Sequence, residues 1–126
     1  MTTVDVQPLG KQKIVITGGA GLVGQNLLVK LRSRGCQNIH VLDKSTHNLA
    51  IAAELHESVQ FDHADLAEAG SWQEVLTDAD IVVMLHAQIG GNIAEDFYRN
   101  NVTATRNILS SIPPAALLVH VSSSVI

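Results

Sequence analysis

The sequence has few features of an exported, membrane-spanning or disulfide-bonded protein. Its one cysteine, Cys36, cannot form an internal disulfide, which fits a reducing compartment and predicts a cytoplasmic location. The first dozen residues have neither a basic start nor an apolar core, so no secretory signal is visible in them. The longest apolar runs are far shorter than the roughly 20 residues of a membrane helix, so we expect no membrane partner.

The charge balance is acidic. Eight lysines and arginines against twelve aspartates and glutamates give a net charge of −4 with the histidines neutral. Proteins that bind nucleic acid usually present a basic face, so we expect no nucleic-acid partner. Hydrophobic residues make up 46% of the chain and charged residues 16%, which excludes a disordered tail. The 126 residues therefore predict one globular domain, or part of one.

The glycines, by contrast, are concentrated in one place. Four of the nine lie between Gly18 and Gly24. The segment before them, Lys13–Thr17, is rich in β-branched residues and predicts a strand. The segment after them, 22–31, has apolar residues at helical spacing and predicts a helix. The local pattern is therefore a strand, a glycine turn and a helix.

Predicted strands and helical segments then alternate along the rest of the chain. The later strands are predicted at 38–42, 59–64, 79–85 and 116–121, and the helical segments at 46–55, 66–76 and 92–112. We expect the helix within 66–76 to begin near Ser71, with Glu74 three residues later at the spacing of a capping box. In the last helix we expect the inward positions to be Phe97, Val102, Ile108 and Leu109.

This alternation predicts an α/β fold, a parallel sheet with helices on both faces. With right-handed crossovers, the predicted topology is a doubly wound sheet of the Rossmann type with strand order 3-2-1-4-5. The ligand crevice of such a sheet lies where the strand order reverses, beyond the carboxyl ends of strands 1 and 4. The loops that follow these strands, 17–24 and 86–91, should therefore meet there.

The first of these loops, Thr17–Gly24, has the chemistry of a dinucleotide site. Gly18 permits the tight turn out of the strand, and Gly24 lets the helix pack close to the sheet. Gly21 lets a pyrophosphate approach the N-terminus of the helix, where free N–H groups and the helix dipole favour an anion. The position between a strand and a helix supports this interpretation over glycines that serve only turn and packing.

An acidic residue, Asp43, follows Gly24 by nineteen positions, at the end of the second strand. An acid at about this place can accept hydrogen bonds from both hydroxyls of the adenosine ribose and repels a 2′-phosphate, so it predicts NAD rather than NADP. The alternative for Asp43 is a helix cap or a solvated turn residue. The neighbouring Lys44 is either a phosphate contact, which would weaken the preference for NAD, or a solvated surface charge.

At this point the sequence resembles the extended short-chain dehydrogenase/reductases, the NAD-dependent epimerase/dehydratase group. TGGAGLVG at Thr17–Gly24 is similar to that family's TGxxGxxG cofactor loop. Asp65-Leu66 resembles the Asp-Leu pair after strand 3, which implies that the Asp65 carboxylate binds the adenine amino group. Capping of the next helix is the alternative role of Asp65. The segment 101–107 resembles the N-V-x-G-T-x-N motif, which implies Asn101 near the nicotinamide ribose.

The end of the fourth strand departs from that family. Where the family usually has His-x-Ala-Ala, this sequence has Met84-Leu85-His86-Ala87. Met84 takes the usual histidine position, and His86 takes the position of the first alanine. A larger, titratable side chain then faces the cofactor or the substrate, unless His86 turns aside and bonds to nearby backbone.

The chain carries part of the family's catalytic set. The serines at the end of the fifth strand resemble the segment that delivers the catalytic Ser or Thr, and the family's spacing selects Ser123, with Ser122 and Ser124 as alternatives. The family's Tyr-x-x-x-Lys pair is not in the sequence, because Tyr98 is the one tyrosine and Val102 lies four residues later. We therefore expect the N-terminal part of a longer protein, truncated before the last strands and the substrate lobe, and no activity from residues 1–126 alone.

The resemblance implies that the full-length protein is an NAD-dependent epimerase, dehydratase or dehydrogenase, a homo-oligomer such as a dimer, acting on a nucleotide sugar or related secondary alcohol. A non-catalytic dinucleotide-binding or sensor module is the alternative. No metal site is predicted, and Ser123 is the catalytic residue assigned. The cofactor-binding residues assigned are Gly18, Gly21, Leu22, Val23, Gly24, Asp43, Lys44, Asp65, Leu66, Leu85, His86, Ala87 and Asn101.

The fifth predicted strand, 116–121, is nearly all apolar and would lie at the edge of the sheet. Natural edges avoid that arrangement, because unpaired N–H and C=O groups and a bare apolar face pair readily with another chain. We expect further polypeptide or a second copy of the chain to cover it.

Overall fold

Five strands form one parallel sheet within residues 9–86 and 94–121, the parts of the chain that the computed structural model describes. The strands are β1 (Lys13–Thr17), β2 (Asn38–Asp43), β3 (Gln60–His63), β4 (Ile81–Met84) and β5 (Leu117–His120). The helices are α1 (Leu22–Ser33), α2 (Thr46–Leu55), α3 (Ala94–Phe97) and α4 (Ala104–Leu109), with 3-10 turns at Leu9–Lys11 and Ser71–Leu76. A π-helical segment, Tyr98–Thr103, joins α3 to α4, and residues 94–109 are called the long helix below. No helix in the two described ranges is long and apolar enough to cross a membrane.

The strand order is β3-β2-β1-β4-β5, and each neighbouring pair is parallel. This order confirms the predicted doubly wound α/β sheet of the Rossmann type. β1 is the central strand, and Thr17 at its carboxyl end lies opposite Leu42 of β2 and Met84 of β4. The loops that follow β1 and β4 therefore begin next to each other, at the point where the strand order reverses.

Helices cover both faces of the sheet, which explains why the central strands are apolar throughout instead of alternating. On one face, Ile14 and Ile16 of β1 pack in a cluster with Leu28 of α1. On the other face, Val15 packs in a cluster with Ile108 of the long helix. All five side chains are almost completely buried, and each such burial contributes roughly 1.5–3 kcal/mol.

The helical segment predicted over 66–76 begins at Ser71, as expected, and forms a 3-10 helix over Ser71–Leu76. Residues 66–70 are not helical. This segment is held by side chains instead. The Asn107 amide donates to the Leu66 carbonyl over 2.9 Å, and the Trp72 indole N–H donates to the Glu68 carbonyl over 2.8 Å. These carbonyls bond to side chains rather than to the backbone N–H groups of a helix. The other boundaries lie within about three residues of the predicted ones.

The inward face of the long helix also differs from the prediction. Ile108 is buried as expected, but Val102 and Leu109 are 40% and 46% exposed, and Ala104 is buried in addition. Ala104 and Ile108 lie four residues apart in α4 and therefore share its buried face. Leu109 directly follows Ile108, and Val102 lies in the π-helical segment before α4, so neither side chain lies on that face. The side chain of Phe97 lies outside the described part of the structure.

Three histidines have pKa values below the ordinary 6.5, and burial is the main cause in each case. The charge of Lys13 lowers the pKa of His40 further, and that of Arg32 lowers the pKa of His56 further. His56 is only 4% exposed, and its Nδ1 accepts a hydrogen bond from Arg32 over 2.9 Å. The third is His86, at the end of β4. The fold therefore holds these three rings in the neutral form at neutral pH.

We predict that the chain becomes less stable as the pH falls below about 6.5. The folded pKa values lie below the unfolded ones, so the unfolded chain binds more protons in that range. The stabilisation is fully present above the unfolded pKa and is lost as the pH falls through the folded values. Urea unfolding between about pH 8 and pH 5 measures the effect. A free energy of unfolding that stays constant or rises toward pH 5 would contradict it.

The edge strand β5 exposes an apolar surface. Leu117 is 59% exposed, and Leu118, Val119 and Val121 are 37%, 39% and 48% exposed. β5 pairs with β4 along one edge, and β5 is the last strand in the order of the described sheet. An apolar edge strand of this kind is a template for pairing with another chain.

We predict that the 126-residue chain on its own associates through β5. Val119→Lys should shift it toward monomer, because a lysine on an edge strand blocks strand addition. Light scattering as a function of protein concentration measures the association. A stable, soluble monomer of 13.5 kDa for the unmodified chain would show that β5 tolerates solvent without a partner.

Candidate cofactor site

A cleft of about 490 Å³ lies at the carboxyl ends of the central strands, where the strand order reverses. This volume is in the range of small-molecule sites in proteins. Eight residues assigned from the sequence line it: Gly18, Gly21, Asp43, Lys44, Asp65, Leu66, Leu85 and His86.

The other assigned residues divide into two groups. Leu22, Val23, Gly24 and Asn101 lie close to lining residues along the chain but do not line the cleft themselves. Ala87 and Ser123 lie outside the described residues, as do the alternatives Ser122 and Ser124.

Three lining residues were missed from the sequence: Asn48, Asn100 and Ala104. Asn48 lies in the first turn of α2, just after the acidic residue that was assigned, so its position was a usable signal. Ala104 takes the place of the motif glycine in the resemblance, a small residue facing the sheet, and is buried. Within the described ranges, no group of three or more His, Cys, Asp or Glu side chains is arranged to hold a metal ion.

The two loops that were expected to meet do so at Gly18 and His86. Gly18 has a φ of +73°, which favours glycine, and a Cβ placed on it would lie 2.7 Å from both the Cα and the N of His86. The Leu85 N–H donates to the Thr17 carbonyl over 2.8 Å, and the Gly18 N–H donates to the Leu42 carbonyl over 2.7 Å. Backbone therefore lies directly against backbone here, and no residue larger than glycine fits.

Gly24 is required by a contact within the loop. A Cβ at Gly24 would lie 2.2 Å from the carbonyl oxygen of Gly19. From the sequence, we expected Gly24 to allow close packing of the helix on the sheet. In the structure, a side chain is excluded because α1 lies against the loop that precedes it.

Gly21 differs from both of these glycines. Its φ of −77° suits any residue, and the nearest atom to a Cβ placed there is the Gly18 carbonyl oxygen at 3.9 Å. It lines the cleft immediately before α1, whose first side chains, Leu22 and Val23, are 81% and 61% exposed. No backbone angle or neighbour among the described residues requires a glycine at this position. Because glycine has no side chain, the cleft stays open at the N-terminus of α1.

The Asp43 carboxylate fastens the glycine loop to the end of β2. One oxygen accepts from the Ala20 N–H over 3.0 Å, and the other accepts from the Ser45 N–H over 2.8 Å. The cap of α2 is Ser45, whose hydroxyl accepts from the Asn48 N–H over 3.2 Å, so the helix-cap alternative for Asp43 is wrong. Each carboxylate oxygen has a further lone pair for a ligand. Lys44 is exposed at the rim of the cleft.

The Asp65 carboxylate is tied to the long helix by an ion pair. Arg99 donates to one of its oxygens over 2.9 Å and also binds Glu68, while the Ala67 N–H donates to the other oxygen over 3.2 Å. Burial alone would raise the pKa of Asp65, but hydrogen bonds from Arg99 and Ala67, with the positive charges of Lys44 and Arg99, bring that pKa below its ordinary value. Asp65 is therefore a carboxylate at neutral pH, with its partners already in place.

His86 lies between two threonine hydroxyls. Its Nδ1 is 2.8 Å from the Thr17 Oγ1, and its Nε2 is 3.1 Å from the Thr105 Oγ1. Its partners are thus side chains, so the interpretation in which it turns aside to bond to nearby backbone is wrong. The ring lines the cleft, as the other interpretation required.

Comparison with known proteins finds a matching family and similar proteins. Residues 14–126 match the family described as the NAD dependent epimerase/dehydratase family. A dTDP-L-rhamnose 4-epimerase of Burkholderia thailandensis is 30% identical over 129 residues, which cover 95% of this chain and 36% of that protein. A UDP-glucose 4-epimerase of Klebsiella pneumoniae is 27% identical over 123 residues, which cover 89% of this chain and 88% of that protein.

Solved structures have the same fold. The epimerase Mth375 from Methanothermobacter thermautotrophicus superposes with a TM-score of 0.80 at 22% identity, over 92% of this chain and 36% of that one. The enzyme WbmF of Bordetella bronchiseptica, crystallised with NAD+ and UDP, superposes with a TM-score of 0.74 at 22% identity, over 90% of this chain and 36% of that one.

This chain thus spans about a third of the length of the Burkholderia relative and of both solved structures. The match covers the glycine loop, Asp43, Asp65 and the long helix, which are the parts that form the cleft. Because the family match extends over nearly the whole sequence, the chain belongs to the NAD dependent epimerase/dehydratase family.

Proposed function

We propose that this chain binds NAD in the cleft, as the cofactor-binding part of an enzyme that acts on a nucleotide sugar. The observation that carries the proposal is Gly21, which lines the cleft although neither its backbone angles nor its neighbours need a glycine. An anion beside it meets free backbone N–H groups and the positive end of the α1 dipole. The pyrophosphate of NAD, the cofactor named in the family's description, is an anion of the right kind.

The carboxylates on the β2 and β3 side of the cleft support a site for the adenosine half. The Asp43 oxygens each use one lone pair, to accept from the Ala20 N–H of the loop and from the Ser45 N–H, and the remaining lone pairs are available to the ribose hydroxyls. Asp65 would accept from the adenine amino group through lone pairs that Arg99 does not use. Leu66 and Leu85 offer apolar surface in the same cleft.

The nicotinamide half is assigned from the family resemblance. Asn101 would lie near the nicotinamide ribose, Ala87 is assigned to the cofactor without a place along it, and Ser123 would orient the substrate oxygen. NAD, when bound, accepts and returns the hydride of the reaction, and the residues of this chain bind and orient it. A nucleotide sugar is the proposed substrate class, because the two relatives described above are named for dTDP-L-rhamnose and UDP-glucose.

We propose further that residues 1–126 are the NAD-binding part of a longer, cytoplasmic and dimeric protein. The length of the Burkholderia relative supports this, since the chain spans 36% of it. Substrate specificity would then be set mainly by residues beyond these.

Replacing Gly21 tests the proposal. Gly21→Ala adds a methyl group that the protein can accommodate, so the melting temperature should be nearly unchanged. The methyl group would occupy the space of the pyrophosphate, so NAD affinity measured by calorimetric titration should fall at least about tenfold. Gly35→Ala is the matched control. Gly35 has a φ of +83° far from the cleft, so its variant should lose about 1 kcal/mol of stability and keep its affinity. Unchanged affinity in Gly21→Ala would refute the site.

The second test compares NAD with NADP. We expect NAD to bind more tightly by about 1–3 kcal/mol, roughly 5- to 150-fold, because a 2′-phosphate would lie against the Asp43 carboxylate. Asp43→Asn should reduce that ratio. Asp62→Asn removes the same charge from an exposed position on β3 and should leave the ratio unchanged. Equal affinities, or tighter binding of NADP, would rule out the role given to Asp43.

The third test concerns turnover. Tyr98 is the one tyrosine and Val102 lies four residues later, so the 126-residue chain has no Tyr-x-x-x-Lys pair. Such proton-transfer groups contribute about 10²–10⁴-fold, so we expect no turnover of dTDP-L-rhamnose or UDP-glucose in a sample of verified mass. Conversion of either nucleotide sugar to a new product, or NAD reduction faster than the buffer blank, would be the contrary result.

A second candidate is a non-catalytic dinucleotide-binding or sensor module, which would have the same glycine loop and Asp43. The two candidates differ in the sequence that follows residue 126 in the gene. A Tyr-x-x-x-Lys pair there supports the enzyme, and its absence supports the module.

A further inference from the structure

The His86 ring joins the two walls of the cleft. Thr17, at the end of β1, begins the glycine loop and is completely buried. Thr105 lies in the long helix, next to Ala104, which lines the cleft. One ring nitrogen lies 2.8 Å from the first hydroxyl, and the other lies 3.1 Å from the second. The imidazole therefore spans the distance between the loop that would hold the pyrophosphate and the helix opposite.

The hydrogen-bond pattern fixes the tautomer of this ring. The Thr105 hydroxyl donates its single hydrogen to the Asn101 carbonyl over 2.6 Å. It can then only accept from His86, so Nε2 carries a hydrogen. In a neutral ring Nδ1 is then the acceptor, and the Thr17 hydroxyl donates to it. All four polar groups are satisfied in one arrangement, with the ring uncharged.

The surroundings also favour the uncharged ring. Burial lowers the pKa of His86, and the neighbouring His120 of β5 lowers it further. The other charged residues that line the cleft are Asp43, Lys44 and Asp65. Asp65 is paired with Arg99 of the long helix, so its charge is largely compensated.

We propose that His86 is a positioning residue for the dinucleotide, a neutral Nε2–H imidazole that holds the glycine loop and the long helix at a fixed separation. The proposal rests on NAD binding in the cleft, as proposed above. The family pattern has a small residue at this position, so the bridge is a particular feature of this sequence. Its effect on affinity is preorganisation, since a cleft whose walls are already held loses less freedom on binding.

The tautomer can be tested without any substitution. Long-range proton–nitrogen NMR spectra of the histidine-labelled chain at about pH 7 report which ring nitrogen carries the hydrogen. We expect His86 to be the neutral Nε2–H form, both alone and with NAD. A cationic ring, or the Nδ1–H tautomer, would overturn the proposal.

The positioning role is tested by NAD affinity in a double-mutant cycle. His86→Ala should weaken NAD binding by about tenfold, and Thr105→Val by about three- to tenfold. The double variant should be no weaker than His86→Ala, because both changes break the same bridge. Thr105→Ser keeps the hydroxyl and should bind NAD as the unmodified chain does.

A second buried histidine provides the control for stability. His56 also has a pKa lowered by burial, but it bonds to Arg32 outside the cleft. His56→Gln should lower the melting temperature without changing NAD affinity. Affinities of His86→Ala and Thr105→Val within about twofold of the unmodified chain would overturn the positioning role while NAD binding stands. No NAD binding by the unmodified chain would overturn the proposed function, and the positioning role with it.

Discussion

The cleft depends on the contact between the backbone that leaves β1 and the backbone that leaves β4. At Gly18 this contact is too close for a side chain, since a Cβ would lie 2.7 Å from the backbone of His86. The hydrogen bond from the Leu85 N–H to the Thr17 carbonyl continues the sheet up to the same point. Because the two strands are held together this far, the loops that diverge from them have defined starting points. This contact between the two strand ends therefore sets the positions of α1 and of the walls of the cleft.

Much of this arrangement was predictable from the sequence, because it is encoded locally. The central strands have apolar side chains at every position because both faces are buried, and that pattern is visible in Ile14, Val15 and Ile16. The glycine loop was recognisable from its position between a strand and a helix. The features that sequence spacing did not predict depend on distant partners. The buried face of the long helix is one of them, since Ala104, rather than Val102 or Leu109, packs with Ile108 in the cluster on the sheet.

The same distinction applies to the candidate site. Asp43 was identified from its place at the end of the second strand, nineteen residues after Gly24, and Asp65 from the resemblance of Asp65-Leu66 to the family's Asp-Leu pair. Both line the cleft. Their partners were not identified, since Asp65 pairs with an arginine 34 residues away and Asp43 binds the backbone of the glycine loop 23 residues before it. Asn100 and Ala104 reach the cleft through the placement of the long helix. Residue type, spacing and the family resemblance thus predicted most of the residues that line the cleft, and tertiary packing decided what holds them.

The ion pair of Arg99 with Asp65 and Glu68 has a consequence for solution conditions. It links the π-helical segment to the chain after β3 beside the cleft, and its members are partly exposed to solvent. Charges in such positions are screened by dissolved ions, and at about 1 M salt the screening length is only about 3 Å. Ionic strength therefore changes the strength of the link between these two segments. Concentrated salt loosens the link, and dilute buffer strengthens it.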